Sequence, residues 1–185
     1  MKLDVPYKVL CDFDLDLIED IKNTIEEDDW YVNTVRNQMG NLEQTQSIIL
    51  RYFDDYSKIT NLQDPNWNKN IKNHVLYDKY SSLIERALKQ ITEKTDIKVK
   101  DYLCFFARLR PKGKVGEHKD TGNFLETCHR IHIPIVTHPE CKYIIEGVEY
   151  HWNAGKVYEF DNTRDHGVDN RNNAWRIHLM FNIYE

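Results

Sequence analysis

Apolar and polar positions follow two rhythms along this 185-residue chain, mostly helical before residue 100 and strand-like after it. From Asp14 onward, Leu17, Ile18, Ile21 and Ile25 recur at the three-and-four spacing of one helical face, until an acidic run and Trp30 end the pattern. This predicts an amphipathic helix of about three turns. A second helix is predicted over 75–93, where Leu76, Tyr80, Leu83, Ile84, Ala87, Leu88 and Ile91 form one apolar stripe suited to packing on a sheet. Between the two, residues 45–53 alternate and are rich in β-branched side chains, which predicts a strand. Residues 54–74 are polar and Asn-rich, with Pro65, and predict a long loop, either a lid or plain surface.

Past Lys100, residues 102–110 read as an aromatic-rich strand that stops at Pro111 and is followed by a Gly-containing turn over 112–116. Residues 129–137 alternate strictly, which puts Arg130, His132 and Pro134 on one face and Ile131, Ile133 and Ile135 on the other. Further short strands are predicted at 141–145, 148–152, 156–160 and 174–184, separated by Gly, Asn or Asp turns. Strands at this spacing predict a mainly β fold with flanking α-helices, a sandwich or barrel. The jelly roll is the version that often houses a metal or a small molecule. The length suits one domain, 1–185, with 1–100 as a helical and mixed buttress and 101–185 as the jelly-roll core.

The composition, 41% hydrophobic and 30% charged, is that of a globular chain rather than a disordered one. A net charge of −5 offers no general attraction to phosphate backbones or anionic lipid, so neither nucleic acid nor a membrane is expected as a partner. Acidic residues interrupt the first twenty positions, which argues against a signal peptide, and no apolar run reaches membrane-spanning length. Cys11, Cys104, Cys128 and Cys141 lack metal or redox spacing and read as thiols, Cys104 and Cys128 as buried ones. A cytoplasmic location and a small soluble partner are expected.

Seven of the eight histidines fall within 118–178, about a third of the chain, so the chemistry is sought there. His118 and Asp120 flank Lys119 just past a turn, and in an extended segment positions i and i+2 point to the same side. His166 stands where a neighbouring strand could present a third ligand. Two imidazoles and a carboxylate leave metal positions open, as in non-haem Fe(II) oxygenases. A surface His beside an acid is the alternative for the His118–Asp120 pair.

Arg176 and His178 share the strand face opposite Trp175, Ile177, Leu179 and Phe181. A buried guanidinium needs an anion. Either a dicarboxylate bound end-on to the metal or a structural Asp or Glu would supply it. His178 would line that cosubstrate pocket or sit in the core. Arg130 and His132 repeat the pattern on a second strand. His129, His138 and His151 read as structural or solvent-facing, and Trp152 and Trp175 as core. Arg51, Arg108, Arg110 and Arg164 are candidate anchors for a substrate carboxylate, with surface ion pairs as the alternative.

The ordered set Ala107–Pro111, His118-Lys-Asp120, Arg130-Ile-His132-Ile-Pro134, the 155–163 segment, His166 and Arg176-Ile-His178 resembles the aspartyl/asparaginyl β-hydroxylase family of Fe(II)- and 2-oxoglutarate-dependent oxygenases. It is also similar to the bacterial proline cis-hydroxylases. The resemblance covers roughly 105–183. It implies a double-stranded β-helix in which His118, Asp120 and His166 hold iron. It further implies that Arg176 binds the distal carboxylate of 2-oxoglutarate, with Arg130 and His132 near its metal-proximal end. The implied reaction consumes O2 and 2-oxoglutarate, releases succinate and CO2, and hydroxylates an unactivated carbon of a small amino acid, short peptide or related substrate. The animal enzymes of the family carry Gly where Asp120 stands, so the site resembles the smaller bacterial-type members. A Ser that helps hold 2-oxoglutarate in the animal enzymes falls near Ala107. A cupin-like metal-binding protein without turnover is the alternative reading.

Overall fold

The two helical stripes anchor the structure, a computed structural model that describes residues 2–34, 40–54 and 67–185. Helix α1 (Leu15–Thr24) starts at Asp14, whose side chain accepts the Asp16 N–H, and buries Leu17, Ile18 and Ile21. An N-cap of this kind contributes about 1 kcal/mol. Helix α2 (Tyr77–Lys94) buries Tyr80, Leu83, Ile84, Ala87 and Ile91. In both cases the predicted stripe is the packed face. No helix among the described residues is long and apolar enough to cross a membrane.

In chain order the strands are β1 (Tyr7–Asp12), β2 (Thr45–Phe53), β3 (Ile71–Asn73), β4 (Asp101–Leu109), β5 (Lys114–His118), β6 (His129–Val136), β7 (Cys141–Ile145), β8 (Val148–Tyr150), β9 (Lys156–Phe160), β10 (His166–Asn170) and β11 (Arg176–Tyr184). The larger sheet has the order β1-β9-β6-β11-β4-β2-β3 and the smaller one β5-β10-β7-β8. All pairings are antiparallel. Two antiparallel sheets facing each other make the jelly roll that the strand spacing suggested.

Alternation decides what each face of the larger sheet does. Ile48, Phe106, Ile131, Ile133, Leu179 and Phe181 join the helices in one core. The opposite face turns toward the smaller sheet, where two apolar clusters form. One contains Leu109, Tyr143, Trp152 and Phe160, and the other Ile49, Phe105, Phe124 and Met180.

Several expectations change. The larger sheet is not confined to 101–185, because β1, β2 and β3 belong to it. Strands β1, β5 and β10 lack a readable apolar rhythm, and β5 begins inside the segment expected to be a turn. The 148–152 strand shortens to Val148–Tyr150. Of the expected 54–74 loop, 55–66 lie outside the described residues, 67–70 form a 3-10 turn and 71–73 form β3.

Candidate active site

Strand pairing creates the metal-ligating cluster. In the β5–β10 ladder His118 stands directly opposite His166, and their rings lie 4.4 Å apart. Gly167 permits this approach, since a Cβ there would come within 2.8 Å of the Val115 carbonyl oxygen. Asp120 follows β5, with its N–H bonded to the Asn162 carbonyl at 3.0 Å. Its Oδ1 lies 3.7 Å from His118 Nε2. Ligand atoms of His118, Asp120 and His166 all lie within 4.8 Å of one another.

The surrounding bonds orient these ligands. His118 Nδ1 is bonded to the Gly116 carbonyl at 2.8 Å, and His166 Nδ1 to the Arg164 carbonyl at 2.9 Å. A carbonyl can only accept, so each Nδ1 carries the proton and each Nε2 presents a lone pair. The Asn162 amide donates to Asp120 Oδ2 at 3.1 Å and to the Leu125 carbonyl at 3.0 Å. Burial pushes the Asp120 carboxyl up, but the Arg130 guanidinium, His166, the Asn162 amide and His118 outweigh it, so the group sits below its usual range. Burial pushes the His166 imidazole down. Two imidazoles and one carboxylate are the donor set that non-haem Fe(II) takes.

The triad opens into a pocket of about 110 Å³ whose walls include Ala107, Arg130, His132, Tyr143, Arg176 and Met180. Arg176 is buried and, among the described residues, has no carboxylate within 4.0 Å. It donates to the Tyr143 hydroxyl at 2.5 Å and to His178 Nδ1 at 3.0 Å, while its Nε is buried without a partner. Arg130 donates to Asn182 Oδ1 at 2.5 Å, approaches Asp120 Oδ2 at 3.8 Å, and also has an unpartnered Nε. His132 Nδ1 bonds the Tyr143 hydroxyl at 2.7 Å, and its buried Nε2 has no partner. Burial holds His132 and His178 well below the usual imidazole range, so both are neutral. Unpartnered buried nitrogens on three pocket residues, two of them guanidinium donors, suit an acidic, oxygen-rich ligand such as 2-oxoglutarate. His178 does not line the pocket wall; it supports Arg176 from behind.

The four candidate substrate anchors are not brought here. Arg108 faces away from Ala107, stacked between Trp30 and Trp175 at 4.5 and 4.1 Å and bonded to both carboxylate oxygens of Glu27. Trp175 is half-buried rather than core. Arg51 pairs with Asp101 at 2.8 Å and bonds Asn73. Arg110 is exposed beyond β4. Arg164 pairs with Glu146 and Asp161, and contributes to the site only through its carbonyl. None lines the pocket.

Of the other histidines, His129 bonds the buried Glu159 at 2.7 Å, His138 is exposed beside Glu140, and His151 bonds the Cys141 carbonyl. Trp152 is buried, stacked on Tyr143 and Tyr158 at 3.7 and 4.9 Å. Cys104 and Cys128 are buried thiols. Sequence reasoning missed Tyr143 and Asn162. Alternation in β7 could have pointed Tyr143 inward with Cys141 and Ile145. For Asn162 the only signal was nearness to His166.

A family model described as aspartyl/asparaginyl beta-hydroxylase matches residues 31–185. A prolyl-4-hydroxylase structure from Pseudomonas putida is similar at a TM-score of 0.56 and 14% identity, over 98% of this chain and 94% of that one. An oxidoreductase of the 2OG-Fe(II) oxygenase family from Burkholderia pseudomallei is similar at a TM-score of 0.62 and 11% identity, over 97% of this chain and 84% of that one. Comparison with curated proteins gave no match. With the matched segment containing the His118–Asp120–His166 cluster and the Arg176 pocket, the chain belongs to the aspartyl/asparaginyl beta-hydroxylase family.

Proposed function

We propose that the protein is an Fe(II)- and 2-oxoglutarate-dependent dioxygenase that hydroxylates an unactivated carbon of a small amino acid, short peptide or related substrate. One observation carries this reading: a buried arginine with no carboxylate partner among the described residues opens into the same pocket as a two-histidine, one-carboxylate cluster. His118, Asp120 and His166 would hold the iron. Arg176 would pair with the distal carboxylate of 2-oxoglutarate, while Arg130 and His132 donate near the metal-proximal end. Ala107, Met180 and Phe160 add apolar lining to the same pocket. Iron and 2-oxoglutarate, when bound, supply the O2-dependent hydroxylating chemistry, with succinate and CO2 as co-products. The pocket's scale, its cationic lining and the likeness to a prolyl hydroxylase support an amino-acid target.

The test is succinate formation from 2-oxoglutarate with added Fe(II), screened across free amino acids and short Asp-, Asn- or Pro-containing peptides. Stimulation by one substrate, lost in His118→Ala and Arg176→Ala, is expected. Tight Fe(II) binding with no turnover on any of them would instead favour a cupin-like binding protein.

A further inference from the structure

The hydrogen bonds that join Arg176, Tyr143 and His132 have only one economical direction. A guanidinium donates and never accepts, so the Tyr143 oxygen must accept from Arg176 at 2.5 Å. Among the described residues the hydroxyl proton then has one acceptor within reach, His132 Nδ1 at 2.7 Å. The opposite direction, with His132 Nδ1–H donating, would strand the hydroxyl proton of a buried tyrosine and leave His132 Nε2 as an unused acceptor. Two unsatisfied groups would then stand where the first direction leaves one. Burial pushes the Tyr143 hydroxyl up to about 12, so it keeps its proton, and His132 is neutral with a single N–H. That N–H is at Nε2, a buried atom with no partner among the described residues, on a side chain that lines the pocket.

We propose that Tyr143 is a positioning residue that fixes His132 as the Nε2–H tautomer, so that His132 meets an oxygen of the bound oxo acid as a neutral donor. The same guanidinium nitrogen donates to His178 Nδ1 at 3.0 Å, which sets that ring's tautomer too. One permanent cation thus orders two neutral imidazoles without charging either. The ligand half of this proposal rests on the 2-oxoglutarate reading above, whereas the tautomer half does not.

Nitrogen NMR of the side-chain imidazoles in metal-free, ligand-free protein reads the tautomer directly. The expected result is an unprotonated Nδ1 and a protonated Nε2 at His132, with Tyr143→Phe shifting the ring toward Nδ1–H. A protonated Nδ1 in the wild type overturns the proposal whether or not the variant folds, as does an unchanged tautomer in folded Tyr143→Phe. A second readout is the Kd of 2-oxoglutarate for the Mn(II)-loaded protein. Tyr143→Phe should weaken it about tenfold to a hundredfold. Tyr158→Phe, outside this chain of bonds, should leave it unchanged. Equal affinity in Tyr143→Phe and wild type refutes the ligand half. Failure of the wild type to bind 2-oxoglutarate refutes the functional reading and leaves the tautomer result standing.

Discussion

Two buried arginines allow a function-bearing charge to be told from a structural one. Arg108 and Arg176 are 3% and 6% exposed, so water screens neither. Arg108 is matched by the protein: two indole rings lie 4.5 and 4.1 Å from it, and Glu27 bonds it at 2.6 and 2.7 Å. Glu27 is largely exposed, which makes its pairing weak, but with the two stacks the loss in Arg108→Met comes to about 2–4 kcal/mol. Arg176 has one ring at 4.7 Å, two neutral hydrogen-bond partners and no carboxylate among the described residues. Its desolvation penalty of several kcal/mol offsets most of what those contacts contribute. Arg176→Met should therefore change ligand-free stability by anything from a loss of about 1 to a gain of about 2 kcal/mol.

Urea denaturation of both variants and the wild type, first metal-free and then with Fe(II) held constant under anaerobic conditions with and without 2-oxoglutarate, measures this. At a hundred times its Kd the ligand should add about 2.7 kcal/mol to the wild type and to Arg108→Met, and almost nothing to Arg176→Met. The reasoning is refuted if Arg176→Met destabilises the ligand-free protein as much as Arg108→Met does. Equal protection of Arg176→Met by the ligand would refute it as well.

Asn162→Ala should weaken Fe(II) binding about 10- to 100-fold in a chelator competition, because Asp120 loses the amide that orients it; unchanged affinity would remove Asn162 from the account. Gly167→Ala forces a methyl against the Val115 carbonyl at 2.8 Å and should cost about 1–3 kcal/mol in denaturation while weakening Fe(II) binding. Retention of full affinity would show that the β5–β10 approach does not set the site. His132 and His178 have folded pKa values depressed below the unfolded value of about 6.5, so their contribution is present above that pH and lost as pH falls below it. Metal-free stability should drop by up to about 1.4 kcal/mol per pH unit for each between pH 6.5 and 5, and His178→Gln should flatten that slope. A flat profile in the wild type would show that neither ring is held neutral.

What the sequence discloses and what it hides follow from how local each determinant is. The α2 stripe and the alternation of β6 and β11 are visible because branched and aromatic apolar residues recur on one face of each element, and Arg130, His132 and Arg176, on the other face of their strands, are legible with them. Strand β10 is buried along its whole length with polar residues, satisfied by bonds such as those from the Asn170 amide to the carbonyls of Arg110 and Ala174. No hydrophobic rhythm can report such a strand. The opposition of His118 and His166 is a product of the β5–β10 register, across 48 positions of sequence, so residue type suggested the pair but only pairing could place it. Arg51 and Arg108 stayed open between a substrate anchor and an ion pair for the complementary reason. A cation advertises its charge in sequence, but the face it occupies depends on the strand it sits in, and Arg108 shows its side chain to Trp30 while Ala107 faces the pocket. Tyr143 was missed because its significance lies in two bonds to residues 11 and 33 positions away.

The central claim is that one pocket holds iron through His118, Asp120 and His166 and an oxo acid through Arg176. Anaerobic titration of Fe(II) into the protein with 2-oxoglutarate, followed by visible absorption, addresses it most directly. A charge-transfer band should saturate at one iron per chain, disappear in His166→Ala, and fail to form in Arg176→Met at the same 2-oxoglutarate concentration. No band in the wild type, or an undiminished band in either variant, would contradict the claim.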